Sequence, residues 1–289
     1  MEIARLPPLC DAVHVGKPYV STAIAELQRL GKSRPFVLAN RSNQAAVQCL
    51  LQALEKQGLG PACPLSCDVG MGGGELGLLK ACDSAAAAHA DSVITVGGGA
   101  IQDAGKLIRM FLSSTSADDP GSSIEKIQSA CKREPMPPLP PQIACPNSFA
   151  MAELTSVAGV TLSSNTKSGA ACPSLMPTAV VFDPELAIPL PEWVRFGTAL
   201  RCVEHAVGAI SHPKSTDAVR ALALEGLALV RRGLERMLAD PTSAEAMTDV
   251  YTGGWLAIRA LNTGCYPALG HLIANIYSAK VKSSREPRP

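Results

Sequence analysis

Residues 96–104 read Val96-Gly97-Gly98-Gly99-Ala100-Ile101-Gln102-Asp103-Ala104, and the other segments of the chain take their places around them. They close an apolar run, Ser92-Val93-Ile94-Thr95-Val96, and open a stretch of helical character from Ile101 to Leu112. A strand that ends in three glycines and turns at once into a helix leaves backbone N–H groups bare at the positive end of the helix dipole, which favours a phosphate. Side chains at 97–99 would hold a ligand off the backbone and restrict the φ values of the turn. Asp103, one turn in, stands where it could cap the first N–H groups or reach a ribose or amide of the ligand. A glycine-rich turn of this kind also occurs without a ligand, and the GxGxxG spacing of the common dinucleotide fingerprint is absent.

On the N-terminal side, Ala23, Ile24, Leu27 and Leu30 recur at helical spacing and stop at Gly31. Pro35 to Ala39 reads as a short buried strand, 44–56 as a second helix, 63–69 as a weaker extended stretch, and 75–90 as a third helix entered through Gly72-Gly73-Gly74. This alternation predicts a parallel sheet wound on both faces, whose ligands gather at the carboxyl ends of the strands, where the Gly97 turn lies.

On the C-terminal side, 113–122 reads as loop, 124–131 as a short amphipathic piece, 135–141 as a proline-rich run and 142–145 as extended, stopping at Pro146-Asn147-Ser148. The last strand-like segments are 157–162 and 178–182. From Pro191 onward helical periodicity dominates, over 193–210, 217–237, 243–261 and 269–280. The expected fold is an α/β domain with a doubly wound, mainly parallel sheet over 1–187, an all-α domain over 188–282 and a polar tail over 283–289, the boundary falling in the proline-punctuated stretch 183–191.

Bulk properties narrow the function class. A net charge of +1 with 18% charged residues argues against a nucleic-acid binder, which concentrates basic charge on one face. The N-terminus has no long apolar region and no apolar segment reaches membrane-spanning length, so a cytoplasmic small-molecule protein is expected. The ten cysteines are scattered; Cys63 and Cys67 form a close pair without a second half, so neither a zinc site nor a disulfide framework follows. Most are expected to be buried small hydrophobes.

Four patches resemble the iron-containing alcohol dehydrogenase and dehydroquinate synthase-like superfamily, and within it the maleylacetate reductase branch. Gly97-Gly98-Gly99-Ala100-Ile101-Gln102-Asp103 with Lys106 resembles the GGGSxxD turn, alanine replacing the serine. Pro146-Asn147-Ser148-Phe149-Ala150 with Glu153-Leu154-Thr155 resembles PTTxAGSExT, Asn147 and Ser148 replacing two threonines that bind nicotinamide nucleotide and Met151 replacing a glycine. Pro177 to Leu186 is similar to PxxVxxDPEL, and Ala268-Leu269-Gly270-His271 resembles a helix carrying active-site histidines. The resemblance covers about 12–278 and implies NADH or NADPH with its pyrophosphate on Gly97, Gly98 and Gly99. The strand 35–39 is followed by Asn40-Arg41, with no acid to repel a 2′-phosphate. Arg41 is therefore a candidate for meeting that phosphate, or simply a solvated loop arginine. Lys167 falls near a lysine that the family directs at the cofactor; an exposed hairpin lysine would look the same.

Metal-bearing members use an Asp and a His four residues apart on one helix plus two more histidines. Here His205 fills the first histidine's place, but Arg201 stands for the aspartate, and the remaining ligand positions fall at Pro267 and near Val281. Without converging acid or imidazole ligands, no catalytic metal is expected. Arg201 and His205 share one side of their helix, an arrangement suited to a carboxylate held by a forked ion pair; a helix-surface arginine snorkelling from a packed face has the same spacing. His205 and His271 are candidate proton donors or packed histidines. The leading expectation is a metal-independent NAD(P)H reductase acting on an activated C=C or C=O of a small carboxylated substrate. A repurposed non-redox enzyme and an inactive homologue lacking C-terminal helices are the competing readings. The last of these predicts an exposed apolar helix face and poor solubility. A homodimer joined at a strand edge is left open.

Overall fold

The computed structural model of the chain describes residues 10–60, 63–66, 74–114, 121–132, 138–164, 166–265 and 270. In chain order these form β1 (Ala12–Val15), α1 (Tyr19–Arg29), β2 (Pro35–Ala39), α2 (Gln44–Lys56), β3 (Cys63–Ser66), α3 (Gly74–Ala87), β4 (Ser92–Gly97), α4 (Gly99–Ser114), α5 (Ile124–Ala130) and β5 (Gln142–Pro146). They continue through β6 (Val157–Thr161), β7 (Lys167–Ala171), β8 (Ala179–Phe182), α6 (Glu192–Ser211), α7 (Asp217–Ala239) and α8 (Ala244–Asn262). Among the described residues no helix is long and apolar enough to cross a membrane.

Six strands pair in the order β1-β8-β5-β4-β2-β3, every neighbour parallel. Their side chains alternate between two faces, as the two-residue period of a strand requires. Val37, Ala39, Ile94, Val96, Ile143, Cys145 and Val181 face α1 and α2 through Ala23, Leu27, Leu50 and Leu54. On the other face, Phe36, Leu38 and Val93 lie under α3 and α4 through Leu78, Ala81, Ile101, Ile108 and Phe111. That second face is shared: Ala144, Val180 and Phe182 pack not on α4 but on the helical unit, against Phe149, Met151, Ala199, Cys202, Val250 and Tyr251. The segment after β5 therefore runs along a seam, with α4 on one side and α6 and α8 on the other.

Close approach fixes the place of α4. A Cβ on Gly105 would lie 2.4 Å from Thr95 Cγ2 and 2.7 Å from Gln142 Nε2, so only glycine lets the helix settle this far onto β4. Gln142 Nε2 then donates to Thr95 Oγ1 and to Gln102 O, both at 3.1 Å.

The sequence pattern finds the parallel strands from β2 onward and the helices to within a few residues. It misses β1, a four-residue edge strand, and β7, whose Lys-Ser-Gly-Ala-Ala sequence carries no β-branched residue. β7 exists because it pairs antiparallel with β6, from Val157 opposite Ala171 to Thr161 opposite Lys167. Apart from Gly270, which is helical, the helix expected over 269–280 lies outside the described residues, as does the end of the extended stretch at 67–69.

On α6, Trp193, Leu200 and Val207 are 78%, 58% and 50% exposed and stand seven residues apart, so they form one stripe along the helix. Glu204 lies on the same stripe, and Gly270 abuts it closely enough that a Cβ there would meet Glu204 Cγ. Replacing Trp193 by Glu together with Leu200 by Lys is expected to raise soluble yield and lower self-association in light scattering. The unfolding free energy should stay within about 0.5 kcal/mol of the parent, because neither side chain is in the core.

Candidate functional site

The glycine turn joins β4 to α4 at the carboxyl end of the sheet. Gly97 has φ +158°, and a Cβ on it would lie 2.9 Å from Ile101 Cγ1. Ile101 N–H is bonded back to Gly98 O at 2.9 Å and Gln102 N–H to the same oxygen at 3.2 Å. The amides ahead of Ile101 have no carbonyl to take within the helix. Gly98 and Gly99 are half-buried and Ala100 is exposed, so this end of the dipole opens outward. Gln102 fixes the turn from behind: its Nε2 donates to Gly97 O at 2.8 Å while its Oε1 accepts from Thr95 Oγ1 at 2.5 Å.

Asn147 and Ser148 form the wall opposite. Both are buried; Asn147 N–H donates to Gly97 O at 3.3 Å, and Ser148 Oγ lies 3.3 Å from where a Cβ on Gly98 would stand. Asn147 Nδ2 donates to Asn43 Oδ1 at 3.1 Å, and Asn43 Nδ2 donates to Val96 O at 3.2 Å. Asn43 belongs to the short turn that carries Arg41 just after β2, so the ends of β2, β4 and β5 are tied together by side-chain amides. Arg41 is exposed at this end.

Asp103 does not cap the helix. Its Oδ2 accepts the Gly159 N–H of β6 at 3.1 Å and its Oδ1 faces Lys106 Nζ at 3.4 Å. The helix start cannot use a carboxylate already turned toward the hairpin. Lys106 is fully buried and donates to Ala152 O and Val157 O, both at 2.7 Å, and to Thr155 Oγ1 at 3.1 Å. Burial pushes its ammonium below the ordinary lysine value, and Asp103 opposes the shift. Lys167 opens β7 and is exposed; its charge acts on Asp103, which places the two on one side of the hairpin.

Glu153 is the ionisable group the sequence reading passed over as part of a motif. It is 1% exposed, and burial lifts its carboxyl to about 7, with Lys106 opposing and Asp103 adding to the rise. Among the described residues its Oε1 finds no hydrogen-bond partner. Nothing in residue type or spacing distinguishes such a glutamate from a solvated one; the burial comes from the seam.

Helix α6 approaches the same loop from the other side. Phe149 N–H donates to Thr198 Oγ1 at 3.2 Å, and Cys202 Sγ donates to Phe149 O at 3.2 Å. Thr198, Cys202 and His205 fall within about 60° of one another around the helix axis. His205 is accordingly buried, with Nε2 3.8 Å from Glu204 Oε2, and Arg201 is half-buried on the flank of that face. His271 lies outside the described residues. Among the described residues no three His, Cys, Asp or Glu side chains converge. A guanidinium one turn from His205 repels a divalent ion where the family's aspartate would bind one, so these residues do not fit a metal.

A parallel sheet, an open glycine turn at a helix start and a helical unit closing over the seam define a class: α/β proteins with an uncovered helix N-terminus at the strand ends, an arrangement that suits an anion. Residues 11–184 match the iron-containing alcohol dehydrogenase family, and the chain belongs to that family. Maleylacetate reductase of Pseudomonas knackmussii is 27% identical over 182 residues, which are 63% of this chain and 44% of that protein. The crystal structure of maleylacetate reductase from Agrobacterium tumefaciens aligns with a TM-score of 0.72 at 22% identity, covering 91% of this chain and 66% of that one. Sulfoacetaldehyde reductase from Bifidobacterium kashiwanohense, solved in complex with NAD+, aligns with a TM-score of 0.75 at 18% identity, over 88% of this chain and 66% of that one. The match thus spans less than half of the first relative and about two thirds of the two solved chains.

The buried Glu153 makes stability depend on pH. Its folded value of about 7 lies above the ordinary 4.5, so its ionisation is harder in the folded state. The resulting penalty is absent below 4.5, grows as pH rises between the two values and is complete above about 7. Glu153→Gln is expected to gain stability relative to the parent as pH rises through that window, by no more than about 3 kcal/mol. Urea midpoints of both proteins across the window check this; a pH-independent difference would refute the assignment.

Proposed function

We propose that this chain is an NAD(P)H-dependent, metal-independent reductase of the maleylacetate reductase type, acting on an activated C=C or C=O of a small carboxylated molecule. The observation that carries the reading is the outward-facing start of α4, walled by Asn147 and Ser148 and reached from the other side of the same loop by the Arg201 and His205 helix. The turn fits the cofactor's diphosphate, because Gly98 and Gly99 put no side chain between the backbone and a ligand and the amides there lack helix partners.

In this reading Gly97, Gly98 and Gly99 receive the diphosphate, and Asn147 and Ser148 offer side-chain hydrogen bonds toward the nicotinamide half. Lys167 faces the cofactor from the hairpin. Arg41, beside the end of β2, meets a 2′-phosphate, so NADPH is the favoured form. The bound cofactor supplies hydride. Arg201 holds the substrate carboxylate through its two-pronged guanidinium, whose charge also stabilises negative charge developing on the substrate. His205 or His271 delivers the proton to the reduced centre. The helical unit and the 147–155 loop keep water from the seam.

Titration of the purified chain with NADPH and NADH fluorescence, followed by assay of NAD(P)H oxidation with maleylacetate, tests the proposal. Absence of both binding and oxidation would overturn it; turnover of a substrate without nicotinamide would replace it with a non-redox reading. Gly98→Val fills the space beside Ser148 and is expected to weaken both cofactors at least about tenfold, which is about 1.4 kcal/mol, while the fold persists by circular dichroism. Arg41→Asp should weaken NADPH selectively. Arg201→Ala is expected to lower kcat/KM by the value of a charge-assisted contact, about 1.5–3 kcal/mol, with cofactor affinity unchanged.

A further inference from the structure

Two thiols that the proposed chemistry does not use meet at the outer end of the β6–β7 hairpin. Cys131 directly follows α5 and Cys172 directly follows β7; both are half-buried and neither is in a disulfide. Their side chains are hydrogen-bonded to each other, and Cys131 Sγ also approaches Ala171 O at 3.8 Å. Backbone bonds hold the geometry: Cys172 N–H donates to Ser156 O at 3.1 Å and Leu175 N–H to Cys172 O at 3.0 Å. Gln128 Nε2 donates to Ser168 Oγ, fastening α5 to β7 a few residues upstream of both thiols. The contact is thus set by paired main chain on both sides. By contrast Cys82, Cys145, Cys202 and Cys265 are sealed in the core.

We propose that Cys131 and Cys172 are a reversible redox pair that closes to an intramolecular disulfide with oxidised glutathione and reopens with reduced glutathione. Burial and the neighbouring thiol hold Cys172 up to about 11, which assigns it the second, resolving step and Cys131 the first. Cys131 loses its proton to solvent and attacks one sulfur of oxidised glutathione; that S–S bond breaks and glutathione leaves with a proton. Cys172 then gives up its proton and attacks the Cys131 sulfur of the mixed disulfide, and the second glutathione leaves. Two protein thiols are oxidised and one glutathione disulfide is reduced to two thiols. The closed form staples α5 to the hairpin that carries Lys167 and supplies the Gly159 N–H to Asp103. In a reducing compartment the pair stays open.

The test is to incubate the native full chain with oxidised glutathione, alkylate remaining thiols, digest with trypsin and analyse without reduction. The expected product joins 127–132 to 168–195 through one disulfide and disappears after reduced glutathione or dithiothreitol. In Cys172→Ser the same treatment should leave one glutathione on Cys131, because the resolving thiol is gone. Exposed Cys49 reports that the reagent has acted. Recovery of both peptides alkylated while Cys49 is modified, or a persistent glutathione adduct on Cys131 of the parent chain, would overturn the proposal.

Discussion

The buried ammonium of Lys106 holds the site together. An unpaired charge out of water costs several kcal/mol, and this one is matched by the carbonyls of Ala152 and Val157, the Thr155 hydroxyl and the Asp103 carboxylate. Three of the four lie on the segment that follows Asn147 and Ser148, so the requirement to solvate one cation presses that segment onto α4. Asp103 in turn takes a backbone N–H from β6. The helix that offers its open amides at Gly98 and Gly99 thereby carries its own opposite wall and the hairpin with Lys167. Removing the ammonium would take the charged donor from the carbonyls of Ala152 and Val157, leaving them the Thr155 hydroxyl as side-chain donor, and would strip Asp103 of its Lys106 partner.

The same segment answers to the helical unit. Ala150 and Ala152 stand 3.6 and 3.4 Å from where a Cβ on Gly99 would be, whereas Met151, fully buried, turns the other way and fills the space at Gly254 beside Cys202. Alternation around Met151 requires a left-handed residue, φ +58°, at about 1–2 kcal/mol for a side chain bearing a Cβ. Glycine would adopt it freely, which accounts for the glycine of the family pattern. The methionine offsets that strain with apolar burial, and it couples the loop to α6 and α8. Tyr251 adds to the coupling: it stacks on Phe182, tilts against Phe149 and donates to Pro146 O at 3.3 Å. The Asn147–Ser148 wall is therefore packed against the helical unit as well as against α4.

Periodicity and punctuation were enough for β2, β4, β5 and β8 because these strands are buried along their whole length and read as apolar runs. The glycine turn was legible for the same reason: three small residues at a strand end leave few other conformations. Whether Asp103 caps its helix was not legible, because a carboxylate one turn into a helix has two choices, its own N-terminus or a neighbouring strand. Only the presence of β6 decides between them, and its partner β7 has no strand signal of its own. Asn43 and Gln102 escaped notice as site residues because amide side chains carry no pattern; their roles come from which carbonyls the fold brings near. Glu153 was visible as a letter and invisible as a buried acid, since burial is a property of the seam and not of the local sequence.

The exchange of the family's aspartate for Arg201 changes what α6 can contribute. An aspartate beside an imidazole gathers a dication, and a dication polarises a substrate oxygen at a point. A guanidinium is a fixed, delocalised single charge with donors in a plane, so it orients a carboxylate by two hydrogen bonds instead of drawing electrons from one oxygen. With the α4 dipole positive on one side of the loop and Arg201 on the other, the proposed reading places negative groups at both ends of the reacting pair, the cofactor's diphosphate and the substrate's carboxylate. In that reading a neutral alcohol or aldehyde gives the guanidinium no anionic partner, so an acidic substrate is preferred.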